Sequence, residues 1–114
     1  MKSKVITLCG SVRFEDWFKV CAAELTLRGW VVLGPEVWMH QWLHDANNTA
    51  MFRITHRTKE ELDKLHKKKI LRSRAIFVVD VLGYTGYSTK EEISFAIDHG
   101  IEVYKWSRGE LFHL

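Results

Sequence analysis

The chain has 114 residues, 46% of them hydrophobic, which suits a single domain (1–114) with one modest core. Its net charge of +3 is mild, so composition alone does not indicate a nucleic-acid-binding protein. No stretch is apolar for long enough to span a bilayer, and residues 1–4 lack a signal segment, so we expect a cytoplasmic protein with no membrane partner.

The first third of the chain predicts a β-α-β unit. Residues 4–9 form a short β-rich run that ends at Gly10, and residues 30–33 form a second one. Between them, apolar residues recur at helical spacing up to Gly29, which is a typical helix end: Phe14, Phe18, Cys21, Ala22 and Leu25. The two strands of such a unit are parallel.

The two cysteines, Cys9 and Cys21, fall in a strand and on a helix face, and we expect both to be buried, reduced thiols. No CxxC motif and no His/Cys metal cluster is apparent in the sequence. We therefore expect neither a metal nor an organic cofactor.

The middle of the chain is less regular. The apolar residues of 38–55 follow no clear helical or strand period, which predicts a long, partly helical excursion. The side chains of Trp38, His40, Trp42 and His44 suit a base pocket as well as a core or a subunit interface. A helix is predicted over 58–72, with Thr58 and Glu61 as a capping box. We interpret its cluster of lysines and arginines as a solvated helix end, and do not expect nucleic-acid binding.

The last third predicts a buried strand over 75–80, a helix that begins at Ser88 and ends at Gly100, and a strand over 101–104. The fold class is therefore α/β: a small, doubly wound (flavodoxin- or Rossmann-like) parallel sheet of about four strands with flanking helices.

Two adjacent carboxylates open the last helix, and they are not equivalent. Glu91 lies three residues after Ser88, the capping-box position, which gives it a structural role. On a helical wheel whose inward face is Ile93, Ala96 and Ile97, Glu92 lies roughly 40° from Ala96. Glu92 is thus the candidate catalytic residue, although an acid that complements the helix dipole is the simpler alternative.

Further candidates lie at the ends of strands, where open α/β sheets bind ligands. Asp80 ends the central strand and can orient a ligand, tune Glu92 or bind loop amides. The following loop offers Gly83, Tyr84 and Gly86 for close approach or stacking. The loop after the first strand has two equally good interpretations, an anion site or a plain helix cap. Its candidate binding residues are Cys9, Gly10, Ser11 and Arg13.

Polar side chains also interrupt one helix face. His66 and Lys69 share a predicted inward stripe with Leu62 and Leu65, and they line a site or serve the structure, with the structural role favoured for Lys69. Phe95 lies off the inward arc of its own helix, which predicts that a second subunit covers it.

Three segments resemble the nucleoside 2-deoxyribosyltransferase-like superfamily, which includes deoxyribosyltransferases and nucleoside 5′-monophosphate N-glycosidases. They read CGSVRF, KKKI and GYTGYSTKEEISFA, and the resemblance runs in order from Val5 to Tyr104. The block that starts at Glu92 is similar to the family's Glu-x-Gly-x-Ala block, with Ser94 in place of glycine. Ser73-Arg74 stands where members often carry Ala-Asp.

The resemblance implies that Glu92 is a nucleophile that attacks the anomeric carbon of a nucleoside or its monophosphate. It also implies that Gly10, Ser11 and Arg13 hold sugar or phosphate, with help from Ser88, and that the chain forms a homodimer or a larger homo-oligomer. The alternative is a non-catalytic domain of the same fold that binds and senses a nucleotide-derived ligand.

Overall fold

The computed structural model describes residues 3–35, 49–81, 85–107 and 110–113, and it describes side chains within 3–35, 60–81 and 85–107. Eight helices and strands follow in chain order: β1 (Val5–Gly10), α1 (Glu15–Leu27), β2 (Val31–Leu33), α2 (Thr49–Leu71), β3 (Ala75–Asp80), α3 (Tyr87–Asp98), β4 (Glu102–Ser107) and β5 (Glu110–His113). A single 3-10 turn at Val12–Phe14 leads into α1. None of the described helices is long and apolar enough to cross a membrane.

The five strands form one sheet in the order β2-β1-β3-β4-β5. The first four strands are parallel, which confirms the doubly wound α/β fold, whereas β5 runs antiparallel to β4. The sheet therefore has an antiparallel edge strand beyond the four strands predicted. An antiparallel strand can follow a connection as short as the two residues that separate Ser107 from Glu110, while a parallel one needs a crossover of about a dozen residues.

Helices cover both faces of the sheet, and β3 is buried along its whole length. One face packs against α1 through a cluster that includes Ile6, Leu8, Phe18, Phe77 and Val79. The other face packs against α2 and α3 through a second cluster that includes Cys9, Ile70, Val78 and Ala96. Successive strand residues point to opposite faces, so Cys9 faces α2 and α3 while Leu8 faces α1.

Both predicted capping boxes are wrong. Helix α2 begins at Thr49, so Thr58 lies inside it, and no glycine or proline in 49–57 interrupts the helix. Helix α3 begins one residue before Ser88, and its N-cap is Gly86, whose extended backbone carbonyl accepts the Lys90 N–H at 3.0 Å. Serine and threonine are tolerated in helix interiors, so their presence alone does not place a helix start.

Glycines end two helices as predicted. Gly29 follows α1 with φ 91°, and Gly100 follows α3 with φ 69°. In this left-handed region a side chain is unfavourable, which explains the choice of glycine. Both helices therefore turn back directly into the next strand.

Candidate active site

The strand order places a crevice between β1 and β3. The strand after β1, β2, lies on one side of β1, and β3 lies on the other side. The carboxyl ends of β1 and β3 therefore form the topological switch point of the sheet. Gly10 ends β1, pairs with Val79 in register, and lies beside Asp80 at the end of β3. Ligands of open α/β sheets bind at this place.

Glu92 points inward from α3, as its position on the helical wheel predicted. The side chain is 18% exposed, and the buried arc around it includes Thr89 and Ala96. Glu91 is exposed. Ile97, which we had placed on the inward face, is 57% exposed, so the buried arc is rotated from Ala96 toward Glu92. Glu92 is thus closer to the centre of the buried face than predicted.

Three side chains from three elements converge at this point. The Sγ atom of Cys9 on β1 lies 3.5 Å from Nε2 of His66 on α2. The same nitrogen lies 3.6 Å from Oε2 of Glu92 on α3. The ligand atoms of all three residues lie within 4.8 Å of one another. Our reading that the chain has no His/Cys cluster is corrected here, because the fold joins residues that are far apart in sequence.

The surroundings shift the pKa values of all three side chains toward their uncharged forms. Burial raises the pKa of Glu92 to about 7; the nearby Cys9 thiol lowers this pKa, and the charge of Asp63 raises it further. Burial, aided by Lys69, lowers the pKa of His66 to about 4. Burial and the Glu92 charge raise the pKa of the Cys9 thiol well above its usual range. The contact between His66 and Glu92 is therefore not an ion pair at neutral pH.

One oxygen of Glu92 is buried without a hydrogen bond. No described residue donates to Oε2, because His66 Nε2 at 3.6 Å is beyond hydrogen-bond distance. A buried carboxylate oxygen without a donor is costly, and in native proteins such an atom calls for an explanation, for example a catalytic role, a water or an ion. This atom is the clearest chemical feature of the site.

Asp80 is 1% exposed and lies 3.0 Å from Lys105 Nζ on β4. The contact is a charge pair, since its direction does not meet hydrogen-bond geometry and both carboxylate oxygens lack a hydrogen-bond partner among the described residues. Lys105 gives Asp80 a sufficient structural role. A role toward the sugar or toward Glu92 stays a prediction.

The first loop combines structural and binding features. Gly10 adopts φ 144°, and a Cβ atom there would lie 2.7 Å from the Val79 carbonyl oxygen, so close strand packing requires glycine. The Ser11 hydroxyl accepts the Arg13 N–H at 3.4 Å and caps the 3-10 turn. Arg13 is exposed, with its guanidinium 6.0 Å from the Phe14 ring.

The second loop is described only in part. Gly83 and Tyr84 lie outside the described residues, as do Trp38, His40, Trp42 and His44. Gly86 is the N-cap of α3, and Ser88 is an exposed residue of its first turn. These glycines and hydroxyls stay predictions as binding groups.

His66 belongs to the site, although its role was open from the sequence alone. It faces the sheet, whereas Leu65, assigned to the same stripe, is 51% exposed. Lys69 has the structural role that we favoured, because its Nζ donates to the Gly34 carbonyl at 2.6 Å. A polar residue on an otherwise apolar, inward face indicated that His66 could belong to a site. The partners of His66 depend on how α2 packs, which the sequence does not show.

The subunit-interface argument from Phe95 is wrong. Phe95 packs against the cluster on the α2–α3 face, with the His99 ring centroid at 4.2 Å and Lys67 Nζ 5.6 Å from its ring. The chain itself therefore covers part of this side chain without a second subunit. A surface groove of about 470 Å³ runs beside Phe95 and Glu91, on the side of α3 away from Glu92, and it holds none of the three clustered residues.

Comparisons of the chain with protein-family models, with curated proteins and with solved structures gave no match. The case for a function therefore depends on the geometry described above.

Proposed function

We propose that this chain is an enzyme that cleaves or transfers the N-glycosidic bond of a (deoxy)nucleoside or nucleoside 5′-monophosphate, with Glu92 as the nucleophile. The observation that carries the proposal is the inward carboxylate of Glu92, whose Oε2 is buried without a described hydrogen-bond donor. A second support is the position of Glu92. It lies in the cluster with Cys9, the next-to-last residue of β1, and so near the carboxyl end of that strand.

The chemistry proceeds in two steps. A Glu92 oxygen attacks the anomeric carbon, the bond to the base breaks, and the base leaves with its electron pair and takes up a proton. The resulting glycosyl ester is then cleaved by water, or by a second base in a transfer reaction. Cys9 is a poor competitor as nucleophile, because its raised pKa keeps the thiol protonated.

The neighbouring loop supplies groups suited to the rest of the substrate. Ser11 and the main-chain amides after β1 lie at the start of the turn that leads into α1, and Arg13 adds a guanidinium suited to a 5′-phosphate. In this proposal Asp80 orients the sugar or Glu92. No organic cofactor takes part.

The proposal includes a cytoplasmic setting and assembly as a homodimer or larger homo-oligomer. Cys9 and Cys21 are both free and buried, which suits a reducing compartment. A monomeric mass by light scattering would remove the assembly part and leave the catalytic part intact.

The test is release of free base from a panel of nucleosides and 5′-monophosphates, followed by chromatography. We expect wild-type protein and Glu91→Gln to release base, and Glu92→Gln to lose at least about a thousandfold in rate while it keeps its circular dichroism spectrum. Glu91→Gln is a matched control, since it makes the same change one residue away on the exposed side.

Two outcomes would contradict the proposal. Base release by Glu92→Gln at the wild-type rate removes Glu92 as nucleophile. Saturable binding of a nucleotide by calorimetry without any base release by wild-type protein favours the alternative, a non-catalytic sensing domain.

A further inference from the structure

We propose that Cys9, His66 and Glu92 form a binding site for Zn²⁺, with the thiolate, the imidazole Nε2 and a carboxylate oxygen as three protein ligands. The inference goes beyond glycosidic chemistry, which requires no metal. It stands on the placement of these three side chains and not on any substrate.

The distances between the ligand atoms match those of a tetrahedral zinc site. Zinc bonds of roughly 2.3 Å to sulfur and 2.0–2.2 Å to nitrogen and oxygen place tetrahedral S and N ligands roughly 3.5 Å apart, and N and O ligands roughly 3.4 Å apart. The observed Sγ–Nε2 distance is 3.5 Å, and the Nε2–Oε2 distance is 3.6 Å. The carboxylate is within 4.8 Å of the thiol, and rotation of its own side chain shortens that third edge.

The unpaired oxygen is an independent indication of a ligand. Glu92 Oε2 is buried and has no hydrogen-bond donor among the described residues, yet it faces the same imidazole nitrogen that the Cys9 sulfur approaches. A cation between the three atoms would pair all of them at once. One thiolate and one carboxylate also neutralise a divalent ion, so the occupied site carries no net charge in its buried surroundings.

The site has a closed side and an open side. Cys9 is 1% exposed, whereas the His66 and Glu92 side chains are 14% and 18% exposed. A fourth ligand, such as water, would therefore enter from the helix side, as in zinc sites that keep one position for an exchangeable ligand. A bound metal also occupies the Glu92 carboxylate, so zinc binding and the use of Glu92 as nucleophile exclude each other.

The test is a titration of chelator-treated full-length protein with Co²⁺, followed by displacement with Zn²⁺. We expect one equivalent to bind with a sulfur-to-cobalt charge-transfer absorption, and Zn²⁺ to abolish that absorption. Cys9→Ser should lose the band and His66→Gln should bind at least about tenfold more weakly. Cys21→Ser and His99→Gln, which change the other thiol and an exposed imidazole, should bind as the wild type does.

A charge-transfer band that survives in Cys9→Ser would overturn the proposed site, and so would an unchanged Co²⁺ affinity in His66→Gln. Folded wild-type protein that binds no Co²⁺ would overturn it as well. If Cys9→Ser fails to fold, Glu92→Gln replaces it, with an expected affinity loss of at least about tenfold and an unchanged affinity as the contrary result. The readout is absorbance and binding. Failure of the glycosidase assay therefore leaves this test intact, and the reverse also holds.

Discussion

Lys105 reaches across from β4 to place its Nζ 3.0 Å from Oδ2 of Asp80, at the carboxyl end of β3. The aspartate is almost wholly buried, while the lysine side chain is 29% exposed. A carboxylate at this depth is tolerated because a cation accompanies it. The pair therefore fixes the carboxyl end of the central strand.

Removal of the lysine alone should be more harmful than removal of both charges. Lys105→Met leaves Asp80 charged and unpaired, and we expect it to lower the free energy of unfolding by on the order of 2–4 kcal/mol. Adding Asp80→Asn to Lys105→Met should recover a large part of that loss. Urea denaturation of the two single variants and the double variant measures the coupling, and additive losses would show that the two charges do not interact.

Gly10 should not tolerate a methyl group. Gly10→Ala combines an unfavourable φ of 144° with a Cβ atom 2.7 Å from the Val79 carbonyl oxygen, so we expect a loss of about 3 kcal/mol in unfolding free energy. Gly100→Ala is the control, because Gly100 also has a positive φ but a Cβ there meets no atom within 4 Å. Equal losses in the two variants would mean that the contact with Val79 contributes nothing.

Ser88 should be dispensable for stability. Since Gly86 is the N-cap and Ser88 is an exposed residue of the first turn, Ser88→Ala should change the unfolding free energy by less than about 0.5 kcal/mol. The neighbouring Thr89→Ala removes a buried side chain and should lower it by about 1 kcal/mol. A loss of about 1 kcal/mol in Ser88→Ala would instead support a serine cap.

Cys21 should react slowly with alkylating reagents in the folded protein. Burial raises the pKa of its thiol from 9.0 to about 11, and only the thiolate reacts. The native alkylation rate should therefore reach half of its maximum near pH 11, whereas the rate in urea-unfolded protein does so near pH 9. Mass spectrometry of the peptide that contains Cys21 gives both rates, and identical pH profiles would contradict its burial.

The four parallel strands and the inward carboxylate were predictable from sequence, whereas the cluster around that carboxylate was not. Residues 75–80 form a continuous apolar run, and β3 has those bounds because a central strand is covered on both faces. Glu92 was placed by its angle to Ala96, a local relationship within one helix. Its contact with His66, by contrast, depends on how α2 and α3 pack on the sheet, which helical periodicity does not specify.

Helix starts and the edge strand escaped prediction for other reasons. Thr58 and Ser88 have side chains that cap helices well, but the same residues also fit inside a helix when the preceding residues continue it. Strand β5 has four residues, too few for an alternating pattern to be distinguished from a loop. Its position is set by pairing with β4.

Helix α2 has 23 residues and lies beside strands of at most six. At roughly 1.5 Å per helical residue and 3.3 Å per strand residue, the helix is roughly 35 Å long and the longest strands roughly 20 Å. Its last turn lies near the amino end of β3, and His66 meets Cys9 close to the carboxyl end of β1, so the residues before His66 extend past the sheet. The backbone of α2 therefore continues well beyond the strand ends, and a molecule that reaches Glu92 from that end of the sheet passes along this helix.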